Sequence, residues 1–129
     1  MKITTAIIER SKDNLFSVYT EDYGFIGFGD TVHEAIEDFY LAYKEFQEFE
    51  EYKSMPQDLS FKFVYDTSSF LQLFKDRIGL ANLQAITGIN RRQLHHYASG
   101  VSRPSKKTVQ RIQEGIKKYG EELCKVQLI

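Results

Sequence analysis

The sequence has a single cysteine, no apolar run of membrane-spanning length, and a net charge of only −1. Because Cys124 has no second thiol to pair with, an internal disulfide is excluded, and nothing indicates an oxidising compartment. The apolar run near the N-terminus is too short for a signal peptide. Repeats and low-complexity tracts are also absent. We therefore expect a cytoplasmic protein without membrane segments, in which 42% hydrophobic residues can form a packed core.

The small net charge hides a strong asymmetry between the two halves of the 129-residue chain. Residues 1–66 hold 6 Lys+Arg against 14 Asp+Glu, a net charge of −8. Residues 67–129 hold 11 against 4, a net charge of +7. This asymmetry predicts two modules, 1–66 and 67–129, with different partners. The basic module suits a polyanion, whereas the acidic module would be repelled by one and suits a basic protein.

The sequence of the acidic module predicts an α+β fold with its elements in the order β-β-β-α-β. Lys2 to Glu9 alternates and is rich in β-branched residues, which predicts a strand buried on much of both faces. Three further strands are predicted over residues 15–19, 23–29 and 59–65. Thr31 and Glu34 form a capping box that opens a long helix to about Tyr52. This order implies a small antiparallel or mixed sheet crossed by one helix.

The sequence of the basic module predicts an all-helical fold, and its central feature is the segment 80–104. A helix carrying Phe70, Leu71, Phe74 and Ile78 on one face comes first. Gly88 then supplies the turn between two short helices, and Asn90 can cap the second of them. That second helix has an apolar back of Leu94, Tyr97 and Ala98, and it ends at Gly100. This arrangement is a helix-turn-helix.

The polar residues of the second short helix have the chemistry for reading duplex DNA. Arg91 and Arg92 can pair with guanine and Gln93 with adenine. Residues suited to positioning the phosphate backbone are Asn90, Arg103, Lys106 and Lys107. The alternative is a purely structural helix pair, since helix pairs with solvated arginines also occur in proteins without a nucleic-acid role.

The run from Gly88 to Ser105 resembles the lambda-repressor-like helix-turn-helix domains. In that family, bases are contacted by the first two residues after the cap and by a residue two positions beyond the buried aliphatic. The resemblance therefore assigns base reading to Arg91, Arg92 and His96, with Leu94 as the buried aliphatic. One departure is Gln84, which stands where the family usually has a small alanine. It implies that the two helices pack differently in detail.

The whole chain resembles the HicB-family antitoxins. The resemblance in the first module rests on a Gly-x-Gly-x-Thr-x-x-Glu-Ala motif, here Gly27, Gly29, Thr31, Glu34 and Ala35. It implies a truncated RNase H-like module without nuclease activity that neutralises a small basic HicA-type toxin. It also implies that the helix-turn-helix binds the operator and represses transcription of the pair. The family contains solo regulators too, so a DNA-binding regulator without a toxin is the alternative.

Rival functions come from other classes of protein. A metal-dependent nuclease of the RNase H type would need clustered carboxylates, and candidates by count are Glu9, Asp13, Glu21, Asp22 and Asp30. No spacing marks a shared site, and adjacent His95 and His96 point apart on a helix. We therefore predict no catalytic residue, no metal ligand and no cofactor. An RNA-binding module and a protein-interaction scaffold are further alternatives.

Oligomeric state follows from the size of the expected DNA contact. One recognition helix contacts few base pairs, so a homodimer or higher homo-oligomer on two half-sites is expected. The segment Leu123 to Ile129 alternates weakly in hydropathy. It is interpreted either as a last strand or as a dimer contact.

Overall fold

The computed structural model describes residues 2–11, 13–49 and 58–129, and the chain divides into two compact units, 1–66 and 67–129. The predicted α+β class is confirmed. The elements of the first unit are β1 (Lys2–Arg10), β2 (Phe16–Thr20), β3 (Ile26–Gly29), α1 (Val32–Phe46) and β4 (Leu59–Tyr65). Those of the second are α2 (Thr67–Ile78), α3 (Leu80–Thr87), α4 (Arg91–Ser99) and α5 (Lys106–Cys124). No helix in the described residues is long and apolar enough to cross a membrane.

The sheet of the first unit is mixed, with strand order β3-β2-β1-β4. β2 pairs antiparallel with both β1 and β3, whereas β4 pairs parallel with β1. The parallel pairing follows from connectivity, because α1 carries the chain across the sheet from one edge strand to the other. The predicted order of elements and the bounds of β4 are therefore confirmed.

One face of the sheet packs against α1 to form the core of the first unit. Phe39 of α1 is fully buried and its ring lies 4.8 Å from that of Phe61 and 5.1 Å from that of Phe25. The helix lies so close to β3 that a Cβ at Gly27 would sit 2.2 Å from the backbone nitrogen of Phe39. Gly29 meets the backbone of Ala35 in the same way, at 2.5 Å. Both glycines therefore permit the close approach of helix and strand.

The prediction that β1 is buried on much of both faces is wrong. Thr4, Ala6 and Ile8 are buried, but Ile3 is 69% exposed. The cause is that α1, the one helix in the described part of this unit, lies on the Thr4 side. The opposite side of the sheet, hereafter the open face, is not covered by any helix or strand among the residues of this unit that the structure describes.

The start of α1 is as predicted, but its end is not. The Thr31 hydroxyl accepts a hydrogen bond from the backbone N–H of Glu34 at 3.1 Å. The Glu34 carboxylate in turn accepts a hydrogen bond from the backbone N–H of Asp30, also at 3.1 Å. The helix ends at Phe46, where i to i−3 bonds close a tighter last turn. Tyr52, the predicted end, lies outside the described residues.

The second unit is a four-helix arrangement around a single core. Its fully packed members come from every helix and from the turn between α3 and α4: Leu71, Leu83, Ile89, Leu94, Tyr97, Ala98 and Ile112. Ser105 caps α5 by accepting from the backbone N–H of Thr108 at 3.2 Å, as predicted. Residues 125–129 follow α5 without forming a strand, so the last-strand interpretation of Leu123 to Ile129 is wrong.

Candidate nucleic-acid interface

The turn between α3 and α4 is held by a glycine in a left-handed conformation. Gly88 has φ 74°, and its N–H donates to the carbonyl of Gln84 at 2.8 Å. Its own carbonyl accepts a hydrogen bond from the Arg111 guanidinium at 3.1 Å. Because an L side chain rarely adopts this backbone conformation, Gly88 determines the angle at which the chain enters α4.

The first turn of α4 has two side-chain caps. Asn90 Oδ1 accepts from the backbone N–H of Arg92 at 2.8 Å, which confirms the predicted N-cap. Gln84 Oε1 accepts from the backbone N–H of Arg91, also at 2.8 Å. The glutamine that departs from the family pattern therefore bonds α3 to the start of α4. A small alanine at this position would leave the Arg91 N–H without that acceptor.

The last turn of α4 is anchored to α2 by polar side chains. The Ala98 carbonyl accepts from the Gln72 amide at 2.9 Å and from the Ser68 hydroxyl at 3.1 Å. Gly100 ends the helix in a left-handed conformation with φ 81°. Sequence reasoning missed Ser68, Gln72 and Arg111. The only available signal was that polar residues at helical spacing accompany the apolar face of α2.

The structure divides the four predicted base-reading residues into two groups. Arg91 and Arg92 are exposed and His96 is half-buried, while Leu94, Tyr97 and Ala98 of the same helix are buried in the core. Gln93 differs from them because its amide donates to the Ser102 hydroxyl at 3.2 Å. Its side chain is therefore bonded to the loop after α4. The surface that α4 presents to solvent consists of the two arginines, the two histidines and Ser99.

The predicted phosphate-positioning residues lie on either side of that surface in sequence. Arg103, Lys106 and Lys107 are all exposed, and the lysines occupy the first turn of α5. Asn90 is exposed as well, but its Oδ1 serves as the cap of α4. No acidic residue occurs anywhere from Arg77 to Gln113. The loops and helix starts of this region therefore present cations without neighbouring carboxylates in sequence.

The carboxylates considered for a nuclease do not come together. Among residues 2–11, 13–49 and 58–129, no group of three or more His, Cys, Asp or Glu side chains is placed to hold a metal ion. Asp13 lies in an exposed turn, where a hydrogen bond from Ser11 lowers the pKa of its carboxyl. Asp22 accepts from the Thr4 hydroxyl at 2.7 Å. Each of these two carboxylates is therefore hydrogen-bonded to a hydroxyl group of the first unit.

No family model, curated protein or solved structure matches this chain. Its function has to be inferred from its own side chains. In the second unit, these are the cations around α4. In the first, they are the uncovered residues of the sheet.

Proposed function

We propose that the chain is a cytoplasmic, sequence-specific DNA-binding repressor that acts as a homodimer, with α4 as its recognition helix. The observation that carries this proposal is the two-sided character of α4. Leu94, Tyr97 and Ala98 are buried on one side, Arg92 is exposed away from that side, and Arg91 is exposed in the first turn. Both ends of the helix are fixed by side-chain hydrogen bonds to α3 and α2. A rigid helix with exposed arginines suits the major groove, where arginine can pair with O6 and N7 of guanine.

The flanking cations support the same proposal. Arg103, Lys106 and Lys107 are exposed close in sequence to the end of α4, and a helix N-terminus adds backbone N–H groups that favour phosphate. Lysines in the first turn of a helix are opposed by its dipole, so their placement in α5 has a cost that phosphate contact would offset. These residues would position the duplex without reading its sequence. Base reading would then fall to Arg91, Arg92 and His96.

The test is selection of binding sites from a random pool of duplex DNA, followed by affinity measurements on single variants. We expect Arg91→Ala to cost about 1–3 kcal/mol on the selected site and to relax specificity at one base position. Lys107→Ala should weaken binding to every sequence about equally and lower the salt dependence of affinity. Competition with RNA of the same sequence separates duplex DNA binding from RNA binding.

Two outcomes would contradict this assignment. Equal weakening of all sequences by Arg91→Ala would remove the base-reading role of Arg91. Failure of the folded wild-type chain to enrich any site would make residues 80–104 a structural helix pair.

A second function, as the antitoxin of a HicA/HicB-type pair, is favoured by the open face of the first unit. The pairing register places Ile26, Tyr19, Ile7 and Val64 in one row across all four strands of that face. Ile26 is 40% exposed, and its neighbour Phe28 is 53% exposed. Tyr19, Ile7 and Val64 are half-buried, so the row is partly accessible to solvent along its length. Contiguous apolar side chains that reach the surface are characteristic of protein-binding surfaces.

Carboxylates surround this row. Tyr19 is hydrogen-bonded to Glu9, and burial together with the carboxylates of Glu9, Glu21 and Asp66 raises the pKa of its hydroxyl. Among the described strand residues, Lys62 of β4 is the cation that the register places on this face. An apolar row within an acidic surface suits a small basic protein, and disfavours nucleic acid or a second acidic surface. A HicA-type toxin has the required chemistry.

The toxin proposal is tested by copurification with the product of a short basic reading frame beside the gene. We expect Ile26→Lys to weaken that complex by roughly 100-fold, because it places an unpaired charge in the apolar row. Leu41→Lys is the matched control, since Leu41 is 60% exposed on α1, away from the open face. Equal weakening by both variants would remove the open face from the interface. If no such reading frame exists, the solo-regulator alternative is favoured.

A further inference from the structure

Two amide side chains at the start of α4 act as hydrogen-bond acceptors for its backbone. Gln84 Oε1 accepts from the N–H of Arg91, and Asn90 Oδ1 accepts from the N–H of Arg92. An amide recognises adenine by donating to N7 and accepting from the N6 amino group, so its oxygen is needed for the base. In Gln84 and Asn90 that oxygen already satisfies a backbone N–H that has no partner within the helix. Pairing either amide with adenine would therefore weaken a cap of α4.

The third amide, Gln93, is bonded to the loop that follows α4. Its Nε2 donates to the Ser102 hydroxyl at 3.2 Å, and the side chain is half-buried. Ser102 is in turn attached to the helix, because its backbone N–H donates to the carbonyl of His96 at 3.4 Å. The bond therefore directs the Gln93 amide toward the C-terminal end of α4. Recognition helices contact bases mainly through their N-terminal residues, so this direction leads away from the bases.

The apolar side chains of α4, a helix that the structure describes in full, lie in the core. Leu94, Tyr97 and Ala98 are 0%, 8% and 1% exposed. An A·T pair can also be recognised through the methyl group of thymine, which an apolar side chain contacts in the major groove. Because all three are buried, α4 has no apolar side chain to place against that methyl group.

The side chains that reach solvent in the first turns of α4 are hydrogen-bond donors. Arg91 is exposed in the first turn, and Arg92 lies on the same side of the helix as His96, four residues on. Arginine donates and cannot accept, and imidazole keeps a donor in either protonation state. Guanine presents two acceptors in the major groove, N7 and O6. The run from Arg77 to Gln113 has no carboxylate to accept from the cytosine amino group.

We infer that α4 specifies G·C base pairs, which Arg91 and Arg92 read from their guanines, and that Gln93 holds the loop after α4 instead of reading adenine. His96 supplies a further donor on the side of Arg92. The half-site is therefore defined by guanine and not by adenine or thymine. This inference rests on the proposed DNA-binding function and names the sequence class of its ligand.

The test begins with the site that the full chain selects from a random pool of duplex DNA. Each guanine of that site is then replaced in turn by 7-deazaguanine, which carries a C–H in place of N7 and still pairs with cytosine. We expect one sensitive guanine for each arginine in a half-site. Replacing it should weaken binding by about tenfold, since one hydrogen bond from a charged donor is lost.

Single variants assign each sensitive guanine to its arginine. In Arg91→Ala one of these guanines should tolerate 7-deazaguanine, because the donor to its N7 is gone, and in Arg92→Ala another should do so. Gln93→Ala is the matched control, since it changes the next position of the same helix. It should leave the selected sequence unchanged and alter affinity by less than about threefold, as is usual for substitutions outside a contact. Circular dichroism verifies that all three variants are folded.

Failure of this inference is distinguishable from failure of the proposed function. A selected site that is defined by A·T pairs would overturn the inference and leave sequence-specific DNA binding in place. So would guanines that all tolerate 7-deazaguanine in the wild type, or a preference for adenine that disappears in Gln93→Ala. If the folded wild type selects no site, the proposed function is contradicted and this inference is overturned with it.

Discussion

Gly27→Ala is expected to destabilise the first unit by about 3 kcal/mol or more, the upper end of the range for overpacked substitutions. A Cβ at Gly27 would lie 2.2 and 2.5 Å from the backbone nitrogen and Cα of Phe39, and 2.6 Å from the carbonyl oxygen of Ala35. All three are backbone atoms of α1, so no side-chain rotation can relieve the clash. The helix would have to move away from β3.

This loss is large for a unit of this size. A domain of 66 residues has a total stability of roughly 3–10 kcal/mol, so Gly27→Ala removes a large part of it. Moving α1 would also disturb the ring contacts between Phe39 and Phe25. We expect the variant to be partly unfolded at room temperature, with loss of the β-sheet signal in circular dichroism.

Gly24→Ala provides the matched control. Gly24 precedes the same strand, and a Cβ there would meet no atom of the described residues within 4 Å. We expect its stability to lie within about 0.5 kcal/mol of the wild type in urea denaturation, as is usual for surface substitutions. Equal destabilisation by the two substitutions would show that α1 does not lie against β3 as described.

If the chain binds DNA as proposed, Gly115→Ala is expected to weaken that binding by disturbing the packing of α5 on α3. The added Cβ would lie 2.5 Å from the carbonyl oxygen of Ile86 and 3.1 Å from the Cα of Thr87. Thr87 directly precedes Gly88, so displacing α3 would move the turn that orients α4. We expect a destabilisation of about 1–3 kcal/mol and a loss of affinity for the selected DNA site of at least about tenfold, since misplaced base contacts are weakened together.

Gly120→Ala separates the packing effect from helix propensity, since it makes the same chemical change in the same helix. A Cβ at Gly120 would meet no atom of the described residues within 4 Å, so this substitution should raise the free energy of unfolding by up to about 1 kcal/mol. Opposite signs for the two alanines are the expected result in urea denaturation. Stabilisation by Gly115→Ala would contradict the described contact between α5 and α3.

Local signals explain what could be predicted from the sequence. The caps at Thr31, Asn90 and Ser105 depend on residues within three positions of each other, and all three are found as predicted. The alternation of apolar residues in β4 and the turn at Gly88 likewise depend on residues that are neighbours in sequence. The helix-turn-helix could be recognised for this reason.

Contacts between distant residues explain what could not be predicted. The one-sided burial of β1 depends on which face α1 covers, and alternating β-branched residues look alike on both faces. The side chain of Gln93 suits adenine and so predicts base reading, but its amide is hydrogen-bonded to Ser102, a contact across the loop after α4. Likewise Gln84 was noted only as a departure, and its bond to the Arg91 N–H depends on the angle between two helices.

The parallel pairing of β1 with β4 has a consequence for how the protein folds during synthesis. β1 precedes β4 in the chain and so leaves the ribosome before it, yet its pairing residues from Lys2 to Ile8 meet partners from Leu59 to Tyr65. The sheet therefore cannot be completed until the chain has been made as far as Tyr65, and one long edge of β1 stays unpaired until then. The helices of the second unit pack against partners closer in sequence than β4 is to β1, such as Gln72 with Ala98 and Gly115 with Ile86, and contacts of shorter sequence separation form faster. The acidic unit, although it precedes the basic unit in the chain, would therefore be the slower of the two to fold. Nascent chains would be most prone to aggregate while the edge of β1 is still unpaired.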